Sequence, residues 1–434
     1  MSDEFKAEVF QNQFLPLGAS EVHAIMTVTA GQTMGSSGGS SGSSGAPSGP
    51  GRLFGILCDV SGSMDGVKIL AARAAMTKLV TMLPEDCSFF IVTGSDTAKV
   101  LRPVAPATRA NKDNAIEWIR QIRADGGTCI SVWLQAALRQ FQAQPGALKQ
   151  ALLLTDGQND EMDEPLLQKA LAGCEGVFQC DCRGVGTDWK VDQLRKIATR
   201  LLGTTDIIPA PAQIEADFQA ILTKALGKSV SDVFLRLWTP QGANVLYCKE
   251  VSPEIVDLTT RARQLKPQVR DYPTGAWGKG ESRDFHFCIE VKPGAAGDEV
   301  LAGRASLVYT VGGAENKAAE ARILAVWTDD EQKSTKIDRM VAHYTGQAEL
   351  AQSIQEGLEA RGRGDLEQAT ALLGKAVRIA HESGNESTAK LLRSVVDIQD
   401  AEKGTVRLKS AVAKEDEMAL ETRSTKTARI AKTT

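Results

Sequence analysis

Leu53-Phe-Gly-Ile-Leu-Cys-Asp59-Val-Ser61-Gly-Ser63 passes from a largely apolar run to three oxygen-bearing side chains at alternating positions. A strand covered by helices on both faces reads as a near-continuous apolar run, as this one does. Residues 67–82 then take up a helical period, so the polar turn lies between a buried strand and a helix. That places it at the carboxyl edge of a sheet, where open α/β sheets bind their ligands.

The same alternation extends over residues 52–228. Strand candidates at 53–58, 88–93, 98–104, 150–154, 178–184 and 206–208 alternate with helical periods near 67–82, 112–122, 130–141, 164–174, 191–201 and 212–226. A parallel sheet wrapped by helices has this pattern, so one α/β domain is expected here.

Two further loops of that domain carry chemistry. Asp125-Gly-Gly-Thr128 offers a hydroxyl, and Thr155-Asp156-Gly157, which closes the run at 150–154, offers a second carboxylate. Asp59, Ser61, Ser63, Thr128 and Asp156 are all hard oxygen donors, with no His or Cys among them. Such a set suits Mg²⁺, with Mn²⁺ or Ca²⁺ as alternatives, rather than zinc or copper. Two carboxylates balance one dication, and the neutral hydroxyls leave it electrophilic, with an open position that an Asp or Glu of a partner protein fills. The plainer alternative is that Asp59 and Ser61 only cap the next helix while the loops bond one another.

Taken together, Asp59-x-Ser61-x-Ser63, Thr128 and Asp156 resemble the metal ion-dependent adhesion site of von Willebrand factor type A domains at every position. The resemblance covers residues 52–228. It implies a doubly wound, Rossmann-like fold, with Ser61, Ser63 and Thr128 as direct ligands and Asp59 and Asp156 partly through water. Through Arg183-Gly-Val-Gly-Thr-Asp-Trp189, Tyr272-Pro-Thr-Gly-Ala-Trp277, residues 341–350 and residues 421–430, the whole layout also resembles cytoplasmic bacterial type A proteins encoded beside a Ser/Thr kinase, a phosphatase and forkhead-associated-domain proteins, as in tellurite-resistance-like systems. That looser likeness implies an intracellular signalling or stress-response assembly.

Outside the α/β domain the pattern changes. Residues 1–33 hold two strand-like runs, and residues 34–51 form a Gly/Ser-rich stretch with nothing to bury, read as a flexible linker. Alternating runs across 229–330 read as half-buried antiparallel strands. The expected architecture is therefore an antiparallel β-sandwich that takes in the N-terminal strands and carries the α/β domain as an insertion. Residues 331–404 are helical and include one tetratricopeptide-like hairpin around Gly364-Asp365, read as part of a small helical bundle. Residues 405–434 are poor in large apolar side chains and are expected to form a mobile basic tail. There Thr422, Thr425 and Thr427 lie among Arg and Lys as candidate phosphorylation sites, Thr427 with Ile430 at the spacing that forkhead-associated domains often prefer. An ordinary solvated tail is the competing reading.

Composition narrows the function classes. The 434 residues are 42% hydrophobic and 24% charged with a formal net charge of −4, which suits a multidomain globular chain and argues against general nucleic-acid binding. The start, Met1-Ser-Asp-Glu-Phe-Lys, lacks the basic and apolar character of a secretory signal, and no apolar run reaches the roughly 18 residues of a membrane span, so a cytoplasmic address is expected. Eight scattered cysteines read as buried free thiols. His23, His286, His343 and His381 all lie outside the α/β domain, and Ser61 stands where aspartyl-phosphate hydrolases typically carry a second Asp. A binding module is thus favoured over its two rivals, a structural scaffold that binds through its helices and tail, and a Mg²⁺-dependent phosphohydrolase.

Overall fold

The computed structural model describes residues 4–32, 51–311 and 314–429. The Gly/Ser-rich linker read at 34–51 lies outside the described residues except for Gly51. The chain divides into two compact units, one formed by the described residues up to 32 and from Val230 onward, the other by those between.

The N-terminal segment supplies β1 (Phe5–Gln11), β2 (Phe14–Pro16) and β3 (Glu21–Ala30) to the first unit. The second unit carries β4 (Arg52–Asp59), β5 (Cys87–Gly94), β6 (Ala98–Pro106), β7 (Leu148–Thr155), β8 (Gln179–Val185) and β9 (Thr205–Ile208). Its helices are α1 (Val67–Met82), α2 (Arg109–Arg120), α3 (Ile130–Gln142), α4 (Glu164–Cys174), α5 (Val191–Arg200) and α6 (Ile214–Leu226). The strand order is β6-β5-β4-β7-β8-β9, parallel except for β6, which runs antiparallel to β5. This is a doubly wound sheet, and its order reverses between β4 and β7. The loops after those two strands diverge and leave a crevice at the carboxyl edge.

Strand β4 shows why the sequence chooses this place for itself. Every residue from Leu53 to Asp59 is buried. On one face Phe54, Ile56 and Cys58 join Met76, Leu79 and Val80 of α1 and Phe218 and Leu222 of α6. On the other, Gly55 leaves room for the rings of Phe90 and Phe141, which meet edge to face at 4.8 Å. Burying side chains of this size stabilises by roughly 1.5–3 kcal/mol each, so β4 is fixed at the centre by its own composition.

The first unit continues with β10 (Lys228–Trp238), β11 (Asn244–Ser252), β12 (Val256–Asp257), β13 (Arg263–Lys266), β14 (Val269–Gly278), β15 (Ser282–Glu290), β16 (Glu299–Val311) and β17 (Ala314–Thr328). One sheet has the order β1-β3-β15-β11-β12 and the other β13-β14-β10-β16-β17-β2. Side chains at alternate positions from both, among them Val22, Met26, Leu235, Phe287, Leu307 and Trp327, enter a single apolar cluster. The second sheet differs from a purely antiparallel reading at its edge, where β2 runs parallel to β17. Pro16 closes that three-residue strand, and an edge is the place that tolerates a residue with no N–H to donate.

The helices of this unit are α7 (Glu331–Ser334), α8 (Arg339–Gly362), α9 (Leu366–Glu382), α10 (Glu386–Val395) and α11 (Lys414–Arg423), with a hairpin of β18 (Val396–Asp400) and β19 (Thr405–Leu408) between the last two. The α8–α9 turn uses Gly364 at φ 79° and Asp365, whose carboxylate accepts from Gln368 N at 3.0 Å. Gly384 and Asn385 repeat that device before α10, Asn385 accepting from Thr388 N at 3.1 Å. A left-handed glycine followed by an Asx cap is cheap helix punctuation. Among the described residues no helix is long and apolar enough to cross a membrane.

The expectation of a mobile tail from residue 405 is corrected. Val406 and Leu420 belong to the helical core, and Met418 and Ala419 are buried too. Further on, Ile255 N donates to Thr425 O at 2.8 Å and Thr427 N to Pro253 O at 3.0 Å. Arg429 then forms a two-pronged bond to Asp284 at 2.9 and 2.6 Å, and the Tyr344 hydroxyl donates to the same carboxylate. Low average hydrophobicity misleads here because a few well-placed apolar side chains and one buried carboxylate hold the segment. Asp284 is fully buried, so Arg429→Ala should destabilise this unit by about 2–3 kcal/mol, read as a lower urea midpoint.

Candidate metal centre

Backbone bonds stitch three loops together at the β4–β7 crevice. Val60 N donates to Gly94 O at 2.8 Å, Asp125 N to Val60 O at 2.7 Å and Gly62 N to Gly126 O at 2.9 Å. Gly126 sits at φ 85°, a left-handed conformation, and a side chain there would collide with Asp96 Oδ1. Asp160 N donates to Thr128 O at 2.8 Å, tying the second loop to the third. Helix α3 starts just past Thr128 and is anchored by Ser131, whose N–H and hydroxyl both reach Asp163.

All five oxygen-bearing residues from the sequence line this crevice. Asp59 and Asp156 are fully buried, and Ser61 and Thr128 are buried with them. Ser61 Oγ lies 3.0 Å from Ser63 Oγ, and Ser63 Oγ donates to Asp156 Oδ1 at 2.6 Å. Gly157 reveals how the rest converge. A carbon in its Cβ position would lie 3.1 Å from Thr128 Oγ1, 3.5 Å from Ser63 Oγ and 4.0 Å from Asp59 Oδ2. Oxygens of three loops thus converge on the place that a side chain at residue 157 would take. A hard dication fits this donor set.

Asp59 accepts from Ser61 N at 2.7 Å through one oxygen and from the Thr155 hydroxyl through the other. Burial pushes its carboxyl up to about 6, the hydrogen bonds from Ser61 and Thr155 oppose that rise, and the charge of Asp156 adds to it. Burial likewise pushes the neighbouring Cys58 thiol well up, which keeps it protonated and inert.

Three further residues serve the site without being among its five oxygen donors. Thr155 holds Asp59, Gly157 clears the space, and Lys68 in the first turn of α1 pairs with Asp156 Oδ2. Lys68 also lies 3.8 Å from Asp188. Thr155 and Gly157 flank Asp156 and were legible as neighbours, whereas nothing in the helical period around Lys68 marks where its ammonium ends. A lysine on this carboxylate competes with a dication for the same charge. Lys68→Met should therefore tighten Mg²⁺ binding about tenfold by titration calorimetry, and weaker binding would show instead that Lys68 orients Asp156.

The candidate phosphorylation sites lie in the other unit, and their hydroxyls face inward. Thr422 is buried, Thr425 Oγ1 donates to Glu254 at 2.8 Å and Thr427 Oγ1 to Val251 O at 2.7 Å. A phosphate on any of them requires that this segment first leave its packing, and on Thr425 it would lie against the Glu254 carboxylate. Ile430, invoked for the spacing after Thr427, lies outside the described residues.

This geometry has counterparts among known proteins. Residues 55–207 match the von Willebrand factor type A domain and residues 378–424 the von Willebrand factor type A C-terminal domain. A solved von Willebrand factor type A protein from Catenulispora acidiphila is 42% identical, with a TM-score of 0.90, over 99% of this chain and 98% of that one. The chain belongs to the von Willebrand factor type A family. An uncharacterized protein of Synechocystis sp. is 24% identical over 220 residues, 50% of this chain and 52% of its own length. Bovine inter-alpha-trypsin inhibitor heavy chain H4 is 31% identical over 154 residues, 32% of this chain and 16% of its own. The chain thus spans about half of the first of these curated relatives and a small part of the second. Type A domains commonly bind a divalent metal at their adhesion motif and generally bind protein partners. The match to the C-terminal type A domain also covers α10, α11 and part of α9, so residues 405–424 of the segment that sequence composition made look like a tail fall within a stretch the family shares.

Proposed function

We propose that this chain is a metal-dependent protein-binding module in which Asp59, Ser61, Ser63, Thr128 and Asp156 hold Mg²⁺ and a partner's Asp or Glu completes the shell. The observation that carries the reading is the convergence of Asp59, Ser63 and Thr128 oxygens on the space beside Gly157, at the reversal point of the sheet. The bound ion would supply a Lewis-acid seat for a carboxylate. Ser61 and Ser63 turn their hydroxyls toward that seat, while Asp59 and Asp156 offset its charge.

Beside the loops a cleft of about 910 Å³ runs along Val60, Ser95, Asp96, Trp118, Arg123 and Asp125. Its mixed polar and aromatic lining suits a protein surface. A hydrolytic role is disfavoured because Asp59 is fully buried and its two oxygens are engaged by Ser61 N and the Thr155 hydroxyl, so it is not an exposed nucleophile. The relation to an inhibitor heavy chain is in keeping with binding rather than catalysis.

In this reading the α/β unit is an insertion in a β-sandwich, and the helical region is a second surface for assembly. An intracellular setting with a Ser/Thr kinase and a forkhead-associated-domain partner extends the proposal, and phosphopeptide mapping of residues 420–434 after co-expression with a kinase tests it. The central claim is tested by affinity capture with and without EDTA, repeated with Asp59→Ala. Partners should be lost under both treatments. Capture unchanged by either would hand the binding role to the helical region.

A further inference from the structure

A second cluster of metal-ligating side chains lies far from the α/β unit in sequence, on the outward face of the sheet β1-β3-β15-β11-β12. Strand β3 alternates Val22, Ala24, Met26 and Val28 into the apolar core, which turns Glu21, His23 and Ile25 outward. In the antiparallel register Cys288 lies opposite His23 and His286 opposite Ile25, and on the next strand Tyr247 lies opposite Cys288. One end of this face is covered where Ile25 and Val251 pack on Val341 and Tyr344 of α8. The other end holds Glu21, His23 and Cys288.

Their ligand atoms form a nearly equilateral triangle. His23 Nε2 is 3.7 Å from Glu21 Oε2, Cys288 Sγ is 3.8 Å from His23 Nε2, and Cys288 Sγ is 3.8 Å from Glu21 Oε2. Bond lengths of about 2.0 Å to N and O and about 2.3 Å to S put the ligand atoms of a tetrahedral zinc about 3.3–3.5 Å apart. The triangle needs to close by only a few tenths of an ångström. Cys288 forms its floor at 1% exposure, while the His23 and Glu21 side chains are 32% and 58% exposed, so the open side faces solvent.

A supporting layer stands behind the histidine. His23 Nδ1 lies 3.2 Å from the Tyr247 hydroxyl and 3.3 Å from His286 Nε2, and the hydroxyl lies 3.2 Å from His286 Nε2 as well. The His286 Nε2 and the Tyr247 hydroxyl oxygen can each accept from His23 Nδ1–H. His23 donating through Nδ1 turns the Nε2 lone pair toward Glu21 and Cys288. Metal-ligating histidines have their free ring nitrogen held in this way.

We propose that Glu21, His23 and Cys288 form a second metal site, selective for Zn²⁺ over Mg²⁺, with three protein ligands and water in a fourth, solvent-facing position. Thiolate and imidazole are soft and borderline donors that Mg²⁺ does not favour, which separates this site chemically from the all-oxygen centre at Asp59. Binding releases the Cys288 proton to solvent as the thiol becomes a thiolate ligand. The site would clamp β3 to β15, joining residues 265 positions apart in sequence.

Co²⁺ titration of the full chain in excess Mg²⁺, which keeps the oxygen centre filled, tests this. One equivalent should give a sulfur-to-cobalt charge-transfer band in the near ultraviolet and intense tetrahedral bands in the visible, both erased by Zn²⁺. Cys288→Ser should remove the charge-transfer band, His23→Gln should weaken binding roughly 100-fold, and Asp59→Asn should leave both signals intact. In the unaltered protein Zn²⁺ should also protect Cys288 from alkylation, read by peptide mapping, which needs no variant to fold. Absence of the charge-transfer band, its survival in Cys288→Ser, or alkylation of Cys288 at the same rate with Zn²⁺ present would each overturn the proposal.

Discussion

Asp59→Asn should abolish stabilisation by Mg²⁺ while leaving the chain folded. The amide can still accept from Ser61 N through its oxygen, and its NH₂ can donate to the Thr155 hydroxyl, which accepts as readily as it donates. At a Mg²⁺ concentration about 100 times its dissociation constant the unaltered protein gains about 2.7 kcal/mol, and the variant should gain almost nothing. Thermal unfolding at pH 7.5 with and without Mg²⁺ reads this directly. An equal shift in both proteins would remove Asp59 from the ion.

The same pair of proteins isolates the cost of burying the Asp59 carboxylate with no dication beside it. The folded carboxyl of Asp59 is raised to about 6 from an ordinary 3.8. A carboxyl raised on folding contributes stability that is fully present below its unfolded value and lost as the pH climbs through the folded one. In EDTA, the unaltered protein should therefore lose about 3 kcal/mol relative to Asp59→Asn between about pH 4 and pH 7, since each tenfold change in proton affinity is worth about 1.4 kcal/mol. Comparing the two chains cancels the other carboxylates. Mg²⁺ should restore the loss, since the dication replaces the proton as the compensating charge.

Gly94→Ala should cost about 3 kcal/mol, near the upper end for overpacking, and should weaken Mg²⁺ binding along with stability. A Cβ at Gly94 would lie 2.3 Å from two indole atoms of Trp133, which is fully buried and donates from Nε1 to Ser95 O at 2.7 Å. Trp133 is locked on both sides, and it sits on the helix that begins just after Thr128. Moving it moves Thr128, one of the proposed metal ligands. Gly346→Ala makes the opposite case, because nothing lies within 4 Å of its Cβ position inside α8, and it should stabilise by about 0.5–1 kcal/mol. Urea unfolding of both variants, with Mg²⁺ affinity for the first, checks the pair. A neutral Gly94→Ala would mean that α3 can shift without cost.

Much of this protein is local in its sequence. The apolar run before Asp59, the alternating oxygen side chains after it and the Thr155-Asp156-Gly157 turn specify a strand, a crevice and a donor chemistry without knowledge of any distant residue. The helix punctuation at Gly364-Asp365 is of the same kind, since a left-handed glycine and an Asx cap act within four residues.

What only the tertiary structure decided is everything that depends on register or on a buried charge. The sequence placed the residues after 405 in solvent because averaging their composition hides Leu420 in a core and Arg429 on the buried Asp284 carboxylate. Lys68 sits in a helical pattern like any other surface lysine until the fold sets it on Asp156. Glu21, His23 and Cys288 carry no motif, because antiparallel pairing alone sets His23 against Cys288, and a slip of one residue would turn that whole face of the strand into the core. The oxygen centre was therefore written in three short stretches of chain, and the cysteine–histidine–glutamate cluster was written only in how two strands align.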